Sequence, residues 1–129
     1  MSRIYAAAFT AVTLALTLPA AAQEGDAAAG ATVFKKCTAC HNVDNPKAKV
    51  GPSLQGVIGR QPGVVEGFKY SKAMTDFGAG KVWNDELLTT YLADPRGVVK
   101  GTKMAFAGLK EPKDIADVIA FLKQHTPAP

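Results

Sequence analysis

Apolar residues recur at helical spacing in three stretches of the chain. The first opens after Asp26, a suitable N-cap, and sets Gly30, Val33, Phe34 and Cys37 at i, i+3, i+4 and i+7, one face of a helix. The second starts at Asn84, where Asp85 and Glu86 suit the positive end of the helix dipole. Its apolar residues are Leu87, Leu88, Tyr91 and Leu92, and Asp94-Pro95 stops it. The third begins around Glu111-Pro112, with proline acceptable in the first turn, and would bury Ile115, Val118, Ile119 and Leu122. Ser71 can open a shorter helical turn. Residues 42–69 and 96–108 are irregular, rich in glycine and proline, and show no strand alternation. Loops this long in a compact domain normally belong to functional segments, and they pack well when wrapped around something rigid. The pattern predicts an all-α domain with a loop-lined pocket.

Charge and composition sharpen this picture at the N-terminus. Arg3 precedes an uncharged run over residues 4–18, Pro19 breaks it, and Ala20-Ala21-Ala22 fits the small-residue rule for signal peptidase before Gln23. Residues 1–22 are therefore expected to be a cleaved signal peptide and 23–129 a single exported domain. The alternative is an uncleaved anchor, because residues 4–22 just reach across a bilayer. Losing Arg3 leaves 14 basic against 11 acidic residues, a net charge of +3. That is too weak, and too poor in arginine clusters, to point to nucleic acid. A domain of this size has a modest core and gains from a disulfide, a metal or a large cofactor.

The only two cysteines lie in Phe34-Lys35-Lys36-Cys37-Thr38-Ala39-Cys40-His41, with a histidine directly after the second. At i, i+3 and i+4 on the end of the first helix, Cys37, Cys40 and His41 would project toward one side. Cysteine thiols add to the two vinyl groups of haem, and the adjacent histidine then reaches the iron, so Cys-x-x-Cys-His reads as a c-type haem attachment. The competing readings have less support. A thioredoxin-like dithiol wants a βαβ context, which is not visible. Structural zinc usually needs four ligands, and only His125 remains outside the cluster to join carboxylates. A disulfide across two residues would leave His41 unexplained. For the other face of the iron the domain offers Met74 and Met104. Met74, on an expected helix beside apolar neighbours, reads as a core filler. Met104, in the second irregular segment, is on its own as consistent with core filling as with iron ligation.

Together these segments resemble class I cytochrome c, closest to the bacterial cytochrome c2 and mitochondrial-type branch. The resemblance covers nearly all of residues 25–126. It rests on Gly25-Asp26 with Gly30 and Phe34, on Cys37 to His41, and on Gly51-Pro52-Ser53-Leu54-Gln55-Gly56. Gly59-Arg60-Gln61-Pro62-Gly63, Gly67-Phe68-Lys69-Tyr70-Ser71 and Val82-Trp83 follow in order. Tyr91-Leu92-Ala93-Asp94-Pro95, Gly101-Thr102-Lys103-Met104 and Phe106-Ala107-Gly108 close the set. The implied fold has three main helices, short helical turns and long loops wrapped around one covalent haem c.

The resemblance implies that Cys37 and Cys40 form the haem thioethers and that His41 and Met104 are the axial iron ligands. Pro52 would lend its carbonyl to the ring nitrogen of His41. Arg60, Tyr70, Trp83 and Thr102 match positions that meet the haem propionates, Tyr91 one near the methionine sulfur, and Phe106 one covering the haem edge. Gly30 and Phe34 would meet Val118, Phe121 and Leu122 where the terminal helices cross. Lys35, Lys36, Lys49, Lys103 and Lys110 match or adjoin a partner-docking ring around the exposed edge. Without the family, Trp83 and Phe106 read as core aromatics, Arg60 and the lysines as surface charge, and Pro52 as a loop stiffener. Two departures are visible: Met74 stands where many relatives have asparagine, and Phe121 replaces a common tyrosine.

The implied function is that of a monomeric, water-soluble periplasmic one-electron carrier, not an enzyme. It would run between membrane redox complexes of respiration or photosynthesis, a cytochrome bc1 donor and an oxidase or photosynthetic reaction centre as acceptor. If Met104 left the iron open, a haem peroxidase or gas sensor would be the alternative. His125 is expected to be an exposed surface residue.

Overall fold

The computed structural model describes residues 24–126. The signal segment 1–22, its cleavage before Gln23, and residues 127–129 lie outside the described residues. Five helices follow in order: α1 (Ala27–Phe34), α2 (Lys72–Gly78), α3 (Asp85–Ala93), α4 (Pro95–Val98) and α5 (Pro112–Lys123). The described residues contain no strand.

Three of the four predicted starts carry a side-chain cap. The Asp26 carboxylate accepts from the Ala28 and Ala29 N–H groups at 2.8 and 3.2 Å, satisfying two donors of the first turn of α1. Ser71 Oγ accepts from Met74 N–H at the start of α2, and Asn84 Oδ1 accepts from Leu87 N–H at the start of α3. At α5 the work falls to Pro112, whose missing N–H needs no partner in the first turn.

Two boundaries differ from expectation. Helix α1 ends at Phe34, before the cysteine motif, and the chain continues in tighter turns: Lys36 N–H donates to Val33 O and Cys37 N–H to Phe34 O. The second irregular segment begins with α4, because the Asp94 carboxylate accepts from Gly97 N–H and Pro95 fits a first helical turn.

The frame is the crossing of α1 and α5, with α3 also packed against α5. Val33 and Phe34 bury against Ile115, Val118, Ile119 and Leu122, all four of the apolar residues expected of the last helix. The Phe34 and Phe121 rings lie 5.1 Å apart. Gly30 sits at the contact point, where a Cβ would fall 1.9 Å from the Asp117 carbonyl oxygen and 2.8 Å from Phe121 Cβ.

Within this apolar seam Asp117 is also buried, at 3 % exposure, which the apolar periodicity did not indicate. Its carboxylate accepts from Lys113 Nζ at 2.6 Å and from Asp26 N–H at 2.8 Å, tying the N-cap of α1 to the middle of α5. The Lys113 ammonium, and after it the Asp26 N–H, hold the carboxyl below the usual carboxylate range.

His125, expected at the surface, is instead half-buried. Its Nδ1 lies 3.1 Å from Asp44 Oδ1, its ring 4.5 Å from that of Phe121, and its carbonyl accepts from Gly56 N–H. The end of α5 is thereby pinned at two points, Asp44 and Gly56, to the first irregular segment.

Replacing Gly30 by alanine sets about 1 kcal/mol of better helix propensity against an overlap with rigid backbone. The overlap should win, with a net loss of roughly 1–3 kcal/mol in denaturant unfolding. Wild-type stability in Gly30→Ala would mean that the two helices do not touch there.

Candidate functional site

A cavity of about 460 Å³ lies between the helical frame and the two irregular segments, and its walls are mainly apolar. All eleven residues expected to bind cofactor or metal line it: Cys37, Cys40, His41, Pro52, Arg60, Tyr70, Trp83, Tyr91, Thr102, Met104 and Phe106. A mainly apolar hollow of this size with a few polar groups converging on it suits a large, flat, mostly apolar ligand.

The turn after α1 gathers the reactive groups of one wall. The Cys37 carbonyl accepts from both Cys40 N–H (3.1 Å) and His41 N–H (2.9 Å), so one tight turn presents both thiols and the imidazole. Burial pushes the Cys37 thiol up, Lys36 opposes it, and Cys40 adds to it. Among the described residues no group of three or more His, Cys, Asp and Glu side chains is arranged to hold a metal ion, so a zinc site has no support here.

His41 is fixed by its surroundings. Its Nδ1–H donates to the Pro52 carbonyl at 2.7 Å, which leaves the lone pair on Nε2. Burial pulls the imidazole below its ordinary range. The Pro52 bond opposes this, while the positive charges of Lys49 and Arg60 reinforce it, so the ring stays neutral and able to coordinate. Gly51 lies flat against the ring, where a Cβ would sit 2.4 Å from His41 Cε1. Gly51 N–H in turn donates to Cys40 O at 2.8 Å, closing the 42–52 loop onto the cysteine turn.

Met104 enters from the segment after α4. Its N–H donates to Thr102 Oγ1 at 3.2 Å, and the Tyr91 hydroxyl donates to its Sδ at 3.5 Å. Burial pushes the Tyr91 phenol up to about 12, against the pull of a hydrogen bond with Thr102, so it remains an O–H donor. Tyr91 also stacks on buried Trp83, with centroids 4.8 Å apart. The second methionine, Met74 on α2, is buried and lines the same cavity, so it is core filler and pocket wall at once.

Arg60 and Tyr70 supply polarity at one side. The guanidinium donates to Gln55 O and Ser53 O at 3.1 and 3.0 Å, no ion pair with a carboxylate involves it among the described residues, and burial lowers its affinity for the proton. A half-buried cation in that state suits an anionic group of whatever fills the cavity. Tyr70 accepts from Val65 N–H at 3.4 Å and packs edge-on against Phe68, its phenol pushed up by burial.

The five lysines expected to dock partners differ in their surroundings. Lys36 and Lys103 line the mouth, and Lys36 approaches Asp114 at 4.0 Å. Lys35 is exposed. Lys49 donates to Thr38 O, and Lys110 to the carbonyls of Ala107 and Ala93. Among the lining residues that sequence reasoning gave no role are Gly51, Lys69 and Val50. Gly51 stood beside Pro52 within a matched segment, Lys69 lies at the mouth, and Val50 is 77 % exposed at the rim. The glycine before Pro52, close after the histidine, was the one usable signal.

Gly51→Ala is expected to push the imidazole off the Pro52 carbonyl, with loss of the protected Nδ1–H resonance in NMR and about 1–3 kcal/mol of stability. Survival of that resonance at wild-type stability would show room where the geometry has none.

A family model described as cytochrome c matches residues 27–126. The chain is 46 % identical over 114 residues to cytochrome c2 of Blastochloris viridis, covering 88 % of this chain and 87 % of that protein. It is 52 % identical over 100 residues to cytochrome c-550 of Ancylobacter novellus, covering 74 % and 92 %. Among solved structures, cytochrome cH from Methylobacterium extorquens superposes with a TM-score of 0.72 at 44 % identity, covering 78 % of this chain and 99 % of that one.

Proposed function

The chain belongs to the cytochrome c family, and from that premise we propose that it is a soluble periplasmic carrier whose cofactor is held by Cys37, Cys40, His41 and Met104. As a cytochrome c it is an electron-transfer protein rather than an enzyme and carries one covalently bound haem c with its iron. The haem supplies the one-electron couple between ferric and ferrous iron. This chain's residues hold it and set its environment.

Cys37 and Cys40 would tether the group through thioethers, and His41 Nε2, left with its lone pair because Nδ1–H donates to Pro52, would be a donor to its iron. Met104 Sδ is the second donor, oriented by the Tyr91 hydroxyl. Two ligands each fixed by a hydrogen bond keep their positions when the charge at the metal changes, so little reorganisation opposes transfer. A thioether paired with imidazole favours the reduced state relative to a more electron-rich pair. Arg60, Tyr70, Trp83 and Thr102 would meet the propionates, with the Arg60 cation balancing their charge. Phe106 would cover the edge. The observation that carries this reading is that a neutral, oriented imidazole and an oriented thioether line one cavity with two thiols.

Replacing Met104 with alanine tests the ligand set. The ferric protein should lose its near-infrared sulfur-to-iron band, and the midpoint should fall by more than ~60 mV, a tenfold change in relative electron affinity. An unchanged spectrum and midpoint would remove Met104 from the iron.

For partners, Lys35, Lys36, Lys49, Lys103 and Lys110 would favour acidic faces of membrane redox complexes. The donor would be of bc1 type, and the acceptor an oxidase or photosynthetic reaction centre. No helix among the described residues is long and apolar enough to cross a membrane. Export through residues 1–22, with release of a monomeric domain, accounts for the leader pattern. The bimolecular rate with such a complex should drop about tenfold as the Debye length shrinks from roughly 30 Å at 0.01 M to about 8 Å at 0.15 M ionic strength. Stopped-flow rates that ignore salt would eliminate electrostatic steering.

A further inference from the structure

The segment carrying Met104 is closed at both ends by hydrogen bonds to helix termini. At its start, Thr102 N–H donates to the carbonyl of Val99, the buried C-cap of α4. At its end it meets the last turn of α3, whose final carbonyls lack intrahelical partners. Leu109 N–H takes the Leu92 carbonyl at 2.7 Å. Gly108, at φ +100°, brings the backbone so close to Ala93 that a Cβ would stand 2.2 Å from its oxygen. Lys110 Nζ then bridges the Ala93 carbonyl at 3.4 Å and the Ala107 carbonyl at 2.9 Å.

Helix α3 therefore has two tasks at one end. Tyr91 points its hydroxyl at Met104 Sδ, and the next two residues anchor the segment from which Met104 comes. The Lys110 ammonium joins the two sides by a charge-assisted contact, and a cation at a helix C-terminus is favoured by the dipole as well. By contrast, among the described residues no hydrogen bond or ion pair engages the side-chain amines of Lys35 and Lys103.

We propose that Lys110 is a positioning residue for Met104, strapping residues 101–109 to the end of α3 and so limiting how often the thioether leaves the iron. This rests on the reading that Met104 is an iron ligand. Release of the strap loosens residues 101–109, held otherwise at the Val99 and Leu92 carbonyls, without touching the α1–α5 frame.

Exogenous imidazole can bind the ferric iron only when Met104 has left, so its apparent affinity reports the open fraction. In the holoprotein, Lys110→Gln should bind imidazole about five-fold more tightly than wild type, the scale of one exposed charge-assisted hydrogen bond. The Leu109 amide should exchange faster with solvent, and Lys110→Arg should restore both readouts. Lys47→Gln, which removes the same charge elsewhere, should match wild type. A global loss of stability would not produce this pattern, since the native state stays populated. Unchanged or weaker imidazole binding in Lys110→Gln, with the sulfur-to-iron band present in wild type, would overturn the role of Lys110 alone. A wild-type protein without that band would overturn Met104 ligation and the strap with it.

Discussion

The hydrogen bond from His41 Nδ1–H to the Pro52 carbonyl constrains more of this molecule than any other single contact. It selects the tautomer, points Nε2 into the cavity, and requires the chain from residue 42 to 52 to return alongside the cysteine turn. That return is possible only because Gly51 has no side chain to meet the imidazole, and it is secured by Gly51 N–H on the Cys40 carbonyl. Leu54 N–H on Asn42 O and Lys49 Nζ on Thr38 O close the same loop further out. Residues 42–54, the opening part of the first irregular segment, are thus ordered around one ring.

A domain with so large an internal space needs a rigid frame elsewhere, and the crossing of α1 and α5 provides it. Close approach at Gly30 lets the Phe34 and Phe121 rings and the aliphatic residues of α5 meet without a gap. The buried Asp117 clasp adds direction, because a carboxylate shared by Lys113 and the Asp26 N–H fixes how far α1 can slide along α5. The frame sits beside the site and contributes little to its chemistry beyond Leu122 on the cavity wall.

The two donor groups are supported by different means. His41 is held by a loop folded back on itself, while Met104 depends on α3, which orients the sulfur through Tyr91 and anchors the following residues through its terminal carbonyls.

Much of this was legible in the residues alone. The periodic stretches gave the three long helices, with caps at Asp26 and Asn84 and a proline in the first turn of the last, because amphipathic spacing and capping chemistry act over a few neighbours. The Cys37–His41 motif named the chemistry, and ordered resemblance named the residues that line the cavity. Chain-distant geometry was not legible. Asp117 reads as a surface acid until Asp26 is placed against it, and His125 as an exposed residue until Asp44 and Phe121 close around it. Lys110 reads as free charge until the carbonyls of Ala93 and Ala107 are brought beneath its amine. Local sequence determines which groups are present and which helices form. Only the tertiary fold decides which polar atoms lose water together, and that is what turns a charge on a chain into a clasp, a pin or a strap.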